Sequence, residues 1–491
     1  MSANALECRG ENLNITPMQM LVAELGGLYG SAVLQDISKT IKLYDFYDGK
    51  GQDWDMPAGL DYKPTKKRVN LVKKLIKREA GFMFGRTPEL TYISETAVSG
   101  ALDDAQAVLN GTLHRSGFKN KLILAGRDCF IGKRIAIKVS GGKDKDIRVS
   151  FRPSTEFVYT TVDDDCDVLD KIIFFYQVNN EYEREKQRIW RQKYFMQGGK
   201  CILNEGVYDG YGRLVEGGQD ADTGLDFIPC YVVINDGLTG DMMGESDVEE
   251  LIDLQNAYNH LNSDDADALK FNMFPQTVAT DVKAESLEAM RISPGALVDL
   301  QTDPVMMGDG RSGQAKLDKL ESSFSYSERF EAAINRTKND MFDLLSVPNV
   351  SLEQLKGLMQ SGKSMKALYW ELITRCEDKW ASWEPAMEWL GMTVLKIAAA
   401  YQGIAYPEDT TVHVEHIYPI LEDDFDEMAN DQQEVSRQLR SRLSYMKKWG
   451  VAPDPDAELL QIKKEETLFA DSFDAALAGE LNQQGVAADG E

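Results

Sequence analysis

The sequence predicts an α+β fold in which helical and strand-rich stretches follow one another in blocks. Apolar residues recur every three to four positions through the first hundred residues and again from Asp247 onward, a spacing typical of buried helix faces. Between 121 and 235 the pattern changes to short alternating or β-branched runs separated by Gly, Asp and Asn. Because helices and strands are segregated along the chain, we expect an antiparallel sheet rather than a doubly wound parallel one.

The composition is that of a folded and strongly acidic protein. Hydrophobic residues make up 43% of the chain and charged residues 27%, and the net charge is −26. Proteins that grip nucleic acid over their surface carry an excess of Lys and Arg, so this charge argues against that class. The acidity is concentrated from Gly403 onward, where 20 acidic residues stand against 7 basic ones. No apolar run reaches the roughly 18 residues of a membrane span, and no secretory signal is recognised, so we expect cytoplasmic synthesis and no membrane contact.

Reactive and metal-ligating residues are sparse. The six cysteines lie far apart without a C-x-x-C pair, which favours reduced, buried thiols over disulfides or zinc ligation. His413, Glu415 and His416 are close in sequence, but on a strand His416 would point away from the other two. We therefore predict no metal, no cofactor and no catalytic residues.

One basic stretch interrupts the acidic chain between Lys66 and Arg78, within the second predicted helix. Seven of its thirteen residues are Lys or Arg. Its apolar residues, among them Val72 and Leu75, have the spacing of a helix face turned inward, which favours a solvated basic face. A surface that holds phosphate or an acidic neighbouring subunit is the alternative. The helix should end at Gly85.

Two long helices are predicted after the strand-rich region. The first runs from Asp247 to Phe271, about 37 Å at 1.5 Å per residue, and the second from about Leu317 to Leu345. Between them, Met273 to Gly313 contains three prolines and several glycines, so this stretch should be a compact insertion.

The longest periodic run extends from about Lys363 to Tyr401. Its apolar face is continuous, and Pro385 in the middle predicts a kink rather than a break because the periodicity resumes in phase. A strand in "TTVHVEHIYPI", a charged helix from Asp424 to Trp449 and a disordered tail should follow.

The stretch "GLMQSGKS", residues 357–364, satisfies the phosphate-loop pattern G-x-x-x-x-G-K-[ST]. A phosphate loop needs a buried strand directly before it, whereas Pro348 and Asn349 and a capping-box pattern precede this one. We interpret the stretch as a polar link between helices. A P-loop ATPase is the alternative, and an acidic scaffold or connector protein without a channel is a third interpretation.

Four segments follow one another along the chain: "IKLYDFYDGKG", "KKRVNLVKKLIKREAGFMFGRTPEL", "IPCYVVINDGLTGDMMGESDVEELIDLQNAYNHLNSDDADALKFNMFP" and "LLSVPNVSLEQLKGLMQSGKSMKALYWEL". Their order resembles the portal proteins of tailed bacteriophages over about residues 40 to 430. The resemblance implies a ring, usually of twelve subunits, at one capsid vertex, with a channel for double-stranded DNA. It also implies virion localisation and no enzymatic activity.

The resemblance further implies a division of the chain into portal parts, namely a wing at 1–243 (β-rich at 121–235), a stem helix at 244–272, a small α/β clip at 273–316, a second stem helix at 317–345, a tunnel loop at 346–362, a long kinked helix with a wing strand at 363–420, and a helical crown with the tail at 421–491. The implied partners are further copies of the chain, the large terminase subunit, head-completion or adaptor proteins, the major capsid or scaffolding protein, and the DNA. The Lys363 region departs from the family pattern, which leaves the charge of the loop open.

Two sets of residues are candidates for facing DNA. In the tunnel loop they are Asn349, Ser351, Glu353, Gln354, Lys356 and Gln360. In the stem and channel they are Glu249, Asp253, Glu328 and Lys338. An acidic channel wall would repel phosphates and let DNA slide, with loop cations as the exceptions.

Overall fold

A computed structural model describes residues 27–53, 62–96, 100–143, 145–163, 165–238, 240–273, 276–280, 282, 316–320, 327–350, 366–419, 424–450, 454–455 and 457–465. The chain forms two compact units, one from residues 1–349 and 369–419 and the other from 350–368 and 420–491. No helix in the described part is both long and apolar enough to cross a lipid bilayer.

Helices dominate the start of the first unit. They are α1 (Gly27–Tyr47), α2 (Leu71–Met83), α3 (Asp103–Ser116) and α4 (Phe118–Gly132). Asn70 caps α2 by accepting a hydrogen bond from the Lys73 amide, and Gly85 follows the end of this helix as predicted. The inward face of α2 is confirmed, since Val72 and Leu75 are fully buried.

Helix α4 corrects the predicted start of the strand-rich region at residue 121. Its buried residues Leu122, Ala125 and Cys129 are spaced three and four apart, which is the period of a helix face. The strand-rich region begins at Arg134 instead.

Antiparallel sheets form the strand-rich region. The strands are β2 (Arg134–Gly142), β3 (Lys145–Pro153), β4 (Phe157–Val162), β5 (Asp165–Gln177), β6 (Ile189–Gln197), β7 (Lys200–Tyr208), β8 (Leu214–Asp222) and β9 (Cys230–Ile234). One sheet has the order β3-β2-β9 and the other the order β4-β5-β6-β7-β8. Every pairing within them is antiparallel, so the α+β prediction is confirmed.

A further strand pair joins distant parts of the first unit. Strand β1 (Glu89–Ile93) lies in a region predicted to be helical, and it pairs with β12 (Thr411–Glu415), the strand predicted in "TTVHVEHIYPI". Both strands show alternating burial, and His413 and Glu415 lie together on the exposed face. The sequence period of two identified β12, whereas the same alternation in the five residues of β1 was overlooked, and its pairing partner lies more than 300 residues away.

The two long helices after the sheets pack against each other. They are α5 (Asp247–Met273) and α6 (Ser327–Leu344). The predicted start of the second helix at residue 317 is wrong, because residues 316–320 form strand β11 (Lys316–Leu320), paired with β10 (Gln276–Thr280). Leu317 and Leu320 are three residues apart and therefore fit a helix period by chance, but the backbone hydrogen bonds to β10 require an extended chain.

Helix α7 (Trp370–Gln402) is the longest in the described part of the chain, and residues 366–368 before it are also helical. It continues through Pro385 without a break, as predicted, and Pro385 lies on its exposed side. The kink at this residue stays a prediction. The buried face includes Trp380, Trp383, Met387 and Leu390.

The second unit contains α8 (Asp424–Ser436) and α9 (Arg442–Trp449), where one continuous helix was predicted. The chain breaks between them because Gln438 has a positive φ of 62° and Ser441 caps α9 by accepting from the Ser444 amide. Asp431 of α8 accepts hydrogen bonds from Lys448 and Trp449 of α9. The predicted disordered tail lies outside the described residues.

Candidate channel helices and their support

Helix α5 carries most of the acidic charge of the helix pair, with seven Asp or Glu residues against one Lys. The predicted channel residues Glu249 and Asp253 are exposed on α5, and Glu328 is exposed on α6. Lys338 of α6 is half-buried. Glu249 lies 3.7 Å from the Lys133 amine, so a cation of the same chain already compensates part of its charge. The four residues therefore lie on two packed helices, and their position in a channel stays a prediction.

Asn349 is the only predicted tunnel-loop residue within the described part. It is exposed after the end of α6, and its amide donates a hydrogen bond to Asn339 at 2.8 Å. Ser351, Glu353, Gln354, Lys356 and Gln360 lie outside the described residues, as does the phosphate-loop pattern at 357–364. Residues 327–350, the described stretch before that pattern, contain a helix and a turn and no strand.

An extended segment, residues 65–70, and the first residue of α2 run antiparallel along α5 and are held by side chains of that helix. The backbone N–H groups of Thr65, Lys67, Val69 and Leu71 donate in turn to Asp267, Ser263, Asn259 and Gln255. Four helical residues rise about 6 Å and two extended residues about 6.6 Å, so the two spacings match. The α5 side chains thus replace a neighbouring strand and hold the long helix against the segment that leads into α2.

Asn259→Ala is expected to lower the free energy of unfolding by about 1–3 kcal/mol, measured by urea denaturation. Asn259 is fully buried, and its loss leaves the Val69 N–H without its acceptor and the Gln52 side-chain oxygen without the Asn259 donor. Asn256→Ala on the same helix is the control, because Asn256 Oδ1 is buried without a hydrogen-bond partner within the described residues. Equal losses from the two variants would contradict the role of the ladder.

A buried charge cluster joins α2, the start of α5 and α7. Lys379 contacts both carboxylate oxygens of Asp247 at 3.0 Å, and Arg375 donates to Asp247 at 3.0 Å and to Glu79 at 2.9 Å. Asp236 lies 3.3 Å from the Lys379 amine. Glu79, Asp247 and Lys379 are only 0%, 2% and 4% exposed. Two buried carboxylates, Glu79 and Asp247, thus meet two cations with little water present, and the exposed Asp236 adds a third carboxylate at the surface.

Burial and charge set the protonation of this cluster. Burial, and then the charge of Asp247, raises the pKa of Glu79 to about 7, although Lys379 and Arg375 oppose the rise. Burial alone would lower the pKa of Lys379, but Asp247, Glu79 and Asp236 outweigh it and raise that pKa. Glu79 Oε2 has no hydrogen-bond partner within the described residues. A proton on Glu79 therefore leaves two carboxylates facing two cations.

Sequence reasoning missed this cluster. The available signal was Arg375 and Lys379, two cations one helical turn apart beside the apolar face of α7, together with Asp247 at the start of α5. Neither feature indicates burial until the helices are packed.

The other candidate reactive groups are held in structural contacts. Cys129, Cys201, Cys230 and Cys376 are buried and reduced, and burial raises the pKa of each thiol. His416 stacks on Trp380 with 4.5 Å between ring centroids and lies 3.2 Å from Glu377. In the part of the chain that the structure describes, no group of three or more His, Cys, Asp or Glu side chains is arranged to hold a metal.

Comparison with known proteins agrees with the resemblance seen in the sequence. The comparison with curated proteins found no match for the chain. A family model described as "Phage portal protein, SPP1 Gp6-like" matches residues 31–467, nearly the whole chain. This match gives no support to the P-loop ATPase alternative. The chain belongs to the SPP1 Gp6-like family of phage portal proteins.

Proposed function

We propose that this portal protein assembles into a ring of twelve copies at one capsid vertex and conducts double-stranded DNA during packaging and ejection. The family match carries the proposal. Helices α5 and α6 pack against each other, strand β10 follows α5, and strand β11, which pairs with β10 in a two-stranded ribbon, precedes α6. This arrangement supports the assignment of stem helices and a clip. The stem then comprises Asp247–Met273 and Ser327–Leu344, and the ribbon is the base of the clip.

Low affinity for DNA is the physical basis of the proposed channel. Twelve copies would carry about −300 formal charges, since each carries −26. A wall of carboxylates such as Glu249 and Asp253 adds no phosphate contacts, so a duplex can slide in both directions. The segment 346–362 is the proposed tunnel loop, and its cation Lys356 would contact the DNA backbone transiently.

The remaining partners follow from the proposed parts. The clip docks the large terminase subunit during packaging and head-completion or adaptor proteins afterwards. The wing contacts the major capsid or scaffolding protein, and the second unit forms the crown. We propose that the protein has no catalytic activity of its own and acts as a conduit and docking platform in the virion.

The assembled particle tests this proposal. Mass photometry of the purified chain should give about 660 kDa, since one subunit has a mass of 55.0 kDa. Negative-stain images should show a ring with a central hole wide enough for a DNA duplex. A chain that stays monomeric at every concentration and salt, or an oligomer without a hole, would rule the proposal out.

A further inference from the structure

The basic face of α2 divides into paired and unpaired cations. Lys66 and Arg68, just before the helix, lie near Asp53, and Lys73 contacts Asp48 at 2.8 Å. Lys74 and Arg78 make no salt bridge within the described residues, and both are exposed. The chain as a whole carries 26 more acidic than basic residues.

The unpaired cations gather around one aromatic ring. The Lys74 amine lies 5.4 Å and the Arg78 guanidinium 5.8 Å from the ring centre of Phe342, which is fully buried near the end of α6. Lys338, one turn before Phe342, is close enough to act electrostatically on Lys74. Burial lowers the pKa of Lys74, and the charges of Arg78 and Lys338 lower it further. Two helices therefore bring together three cations that repel one another.

We propose that Lys74, Arg78 and Lys338, held around Phe342, form a binding site for backbone phosphates of the double-stranded DNA that the portal conducts. The inference rests on the proposed function, which supplies the DNA. The site lies beside the last turns of α6, a few residues before the segment 346–362 proposed as the tunnel loop. In this proposal DNA at the loop also meets these cations, because Lys338 and Phe342 precede residue 346 by eight and four positions in the chain.

A DNA backbone suits this cluster better than a carboxylate of a neighbouring subunit. A duplex carries one negative charge per about 1.7 Å of its axis, so a patch spanning one helical turn meets more than one phosphate. A single carboxylate would neutralise one cation and leave two repelling each other. Arg78 adds a planar guanidinium, which can bind two phosphate oxygens at once. Because the chain carries a net charge of −26, repulsion from its carboxylates offsets these contacts, so the duplex is held weakly and can move on.

The salt dependence of DNA binding tests the site. The experiment measures how tightly a fluorescent duplex binds the assembled wild-type ring and the triple variant Lys74→Ala, Arg78→Ala, Lys338→Ala. The salt concentration is varied about tenfold, from about 20 to about 200 mM. The slope of log affinity against log salt should fall by about 0.9 per lost contact, about 2.7 for the three. The control is Lys119→Ala, Lys145→Ala, Arg148→Ala, which removes two Lys and one Arg that are exposed elsewhere. An equal fall in both variants, or none in the first, overturns the inference.

A photo-crosslink at the neighbouring Lys77 gives a test that keeps all three cations. Lys77→benzoylphenylalanine in DNA-filled particles should form an adduct with DNA, and the same substitution at Lys119 should not. An adduct with a neighbouring subunit instead, or none, overturns the site. Mass photometry of the purified chain separates the two proposals. A wild-type chain that forms no ring contradicts the proposed function, whereas rings without the DNA adduct contradict this site alone.

Discussion

Lys379→Met is expected to lower the free energy of unfolding by about 3–5 kcal/mol, the cost of leaving buried charges without their partner. Lys379 is 4% exposed and contacts both oxygens of Asp247 at 3.0 Å. Methionine fills most of the same volume, so the loss reports the missing charge rather than a cavity. Asp247 would keep Arg375, but Asn235 would lose the donor that lies 2.8 Å from its oxygen. Urea denaturation monitored by Trp fluorescence measures the change.

Lys396→Met on the same helix is the matched control. Lys396 is exposed, and its amine lies 5.2 Å from the ring centre of Phe227. An exposed cation–π contact contributes about 0.5–1 kcal/mol, so this variant should lose little stability. If both variants lose the same amount, the cluster is not a buried ion network, and the start of α5 must be held by other contacts.

Helix periodicity predicted the elements that depend on neighbouring residues. The buried faces of α2 and α7 follow from apolar residues three and four positions apart, because each helix satisfies its backbone hydrogen bonds internally. Helix α5 differs, because polar residues such as Gln255, Asn259 and Ser263 occupy part of its buried face. Pro385 did not break α7, since the residues on both sides belong to one apolar face. The resemblance to portal proteins used the order of such segments, and the family match confirms it.

Elements that depend on distant residues escaped prediction. Strand β1 acquires its backbone partners from β12, more than 300 residues later, and β11 is extended because β10 pairs with it. The extended segment 65–70 and Leu71 are held by the polar side chains of α5, whose four-residue spacing looked like an ordinary solvated helix face. In each case the stabilising hydrogen bonds join residues that are far apart in the sequence, so a local pattern does not reveal the partner.

Burial of charge was the other missing quantity. Glu79 and Lys379 sit in sequences that also suit exposed helix faces, and the sequence favours exposure for both. Only the packing of α2 against α7 and the start of α5 makes them 0% and 4% exposed. The basic face of α2 shows the reverse case, because its sequence allowed two interpretations and the structure separates paired cations such as Lys73 from unpaired ones such as Arg78.

Glu79→Gln is expected to gain stability relative to the wild type as the pH rises from 4.5 to 8. Burial raises the pKa of Glu79 from its ordinary 4.5 to about 7 in the folded protein. Between these two values the folded protein keeps a proton that the unfolded chain has released, so wild-type stability falls as pH rises. Glutamine has no such proton. The free energy of unfolding of the variant minus that of the wild type should therefore increase by about 3 kcal/mol over this interval, as measured by urea denaturation at several pH values.

Asn259→Ala is the control for this pH series, because it lowers stability without removing a titratable group and should shift the curve by the same amount at every pH. If the free energy of unfolding of Glu79→Gln also differed from that of the wild type by the same amount at every pH, Glu79 would be ionised even at low pH. The cluster would then hold three anions against two cations. An increasing difference means that the proton is present and the charges balance. In that case, raising the pH above 7 adds an uncompensated charge where α2 and α7 hold the first turn of α5, so this junction should be the first part of α5 to loosen.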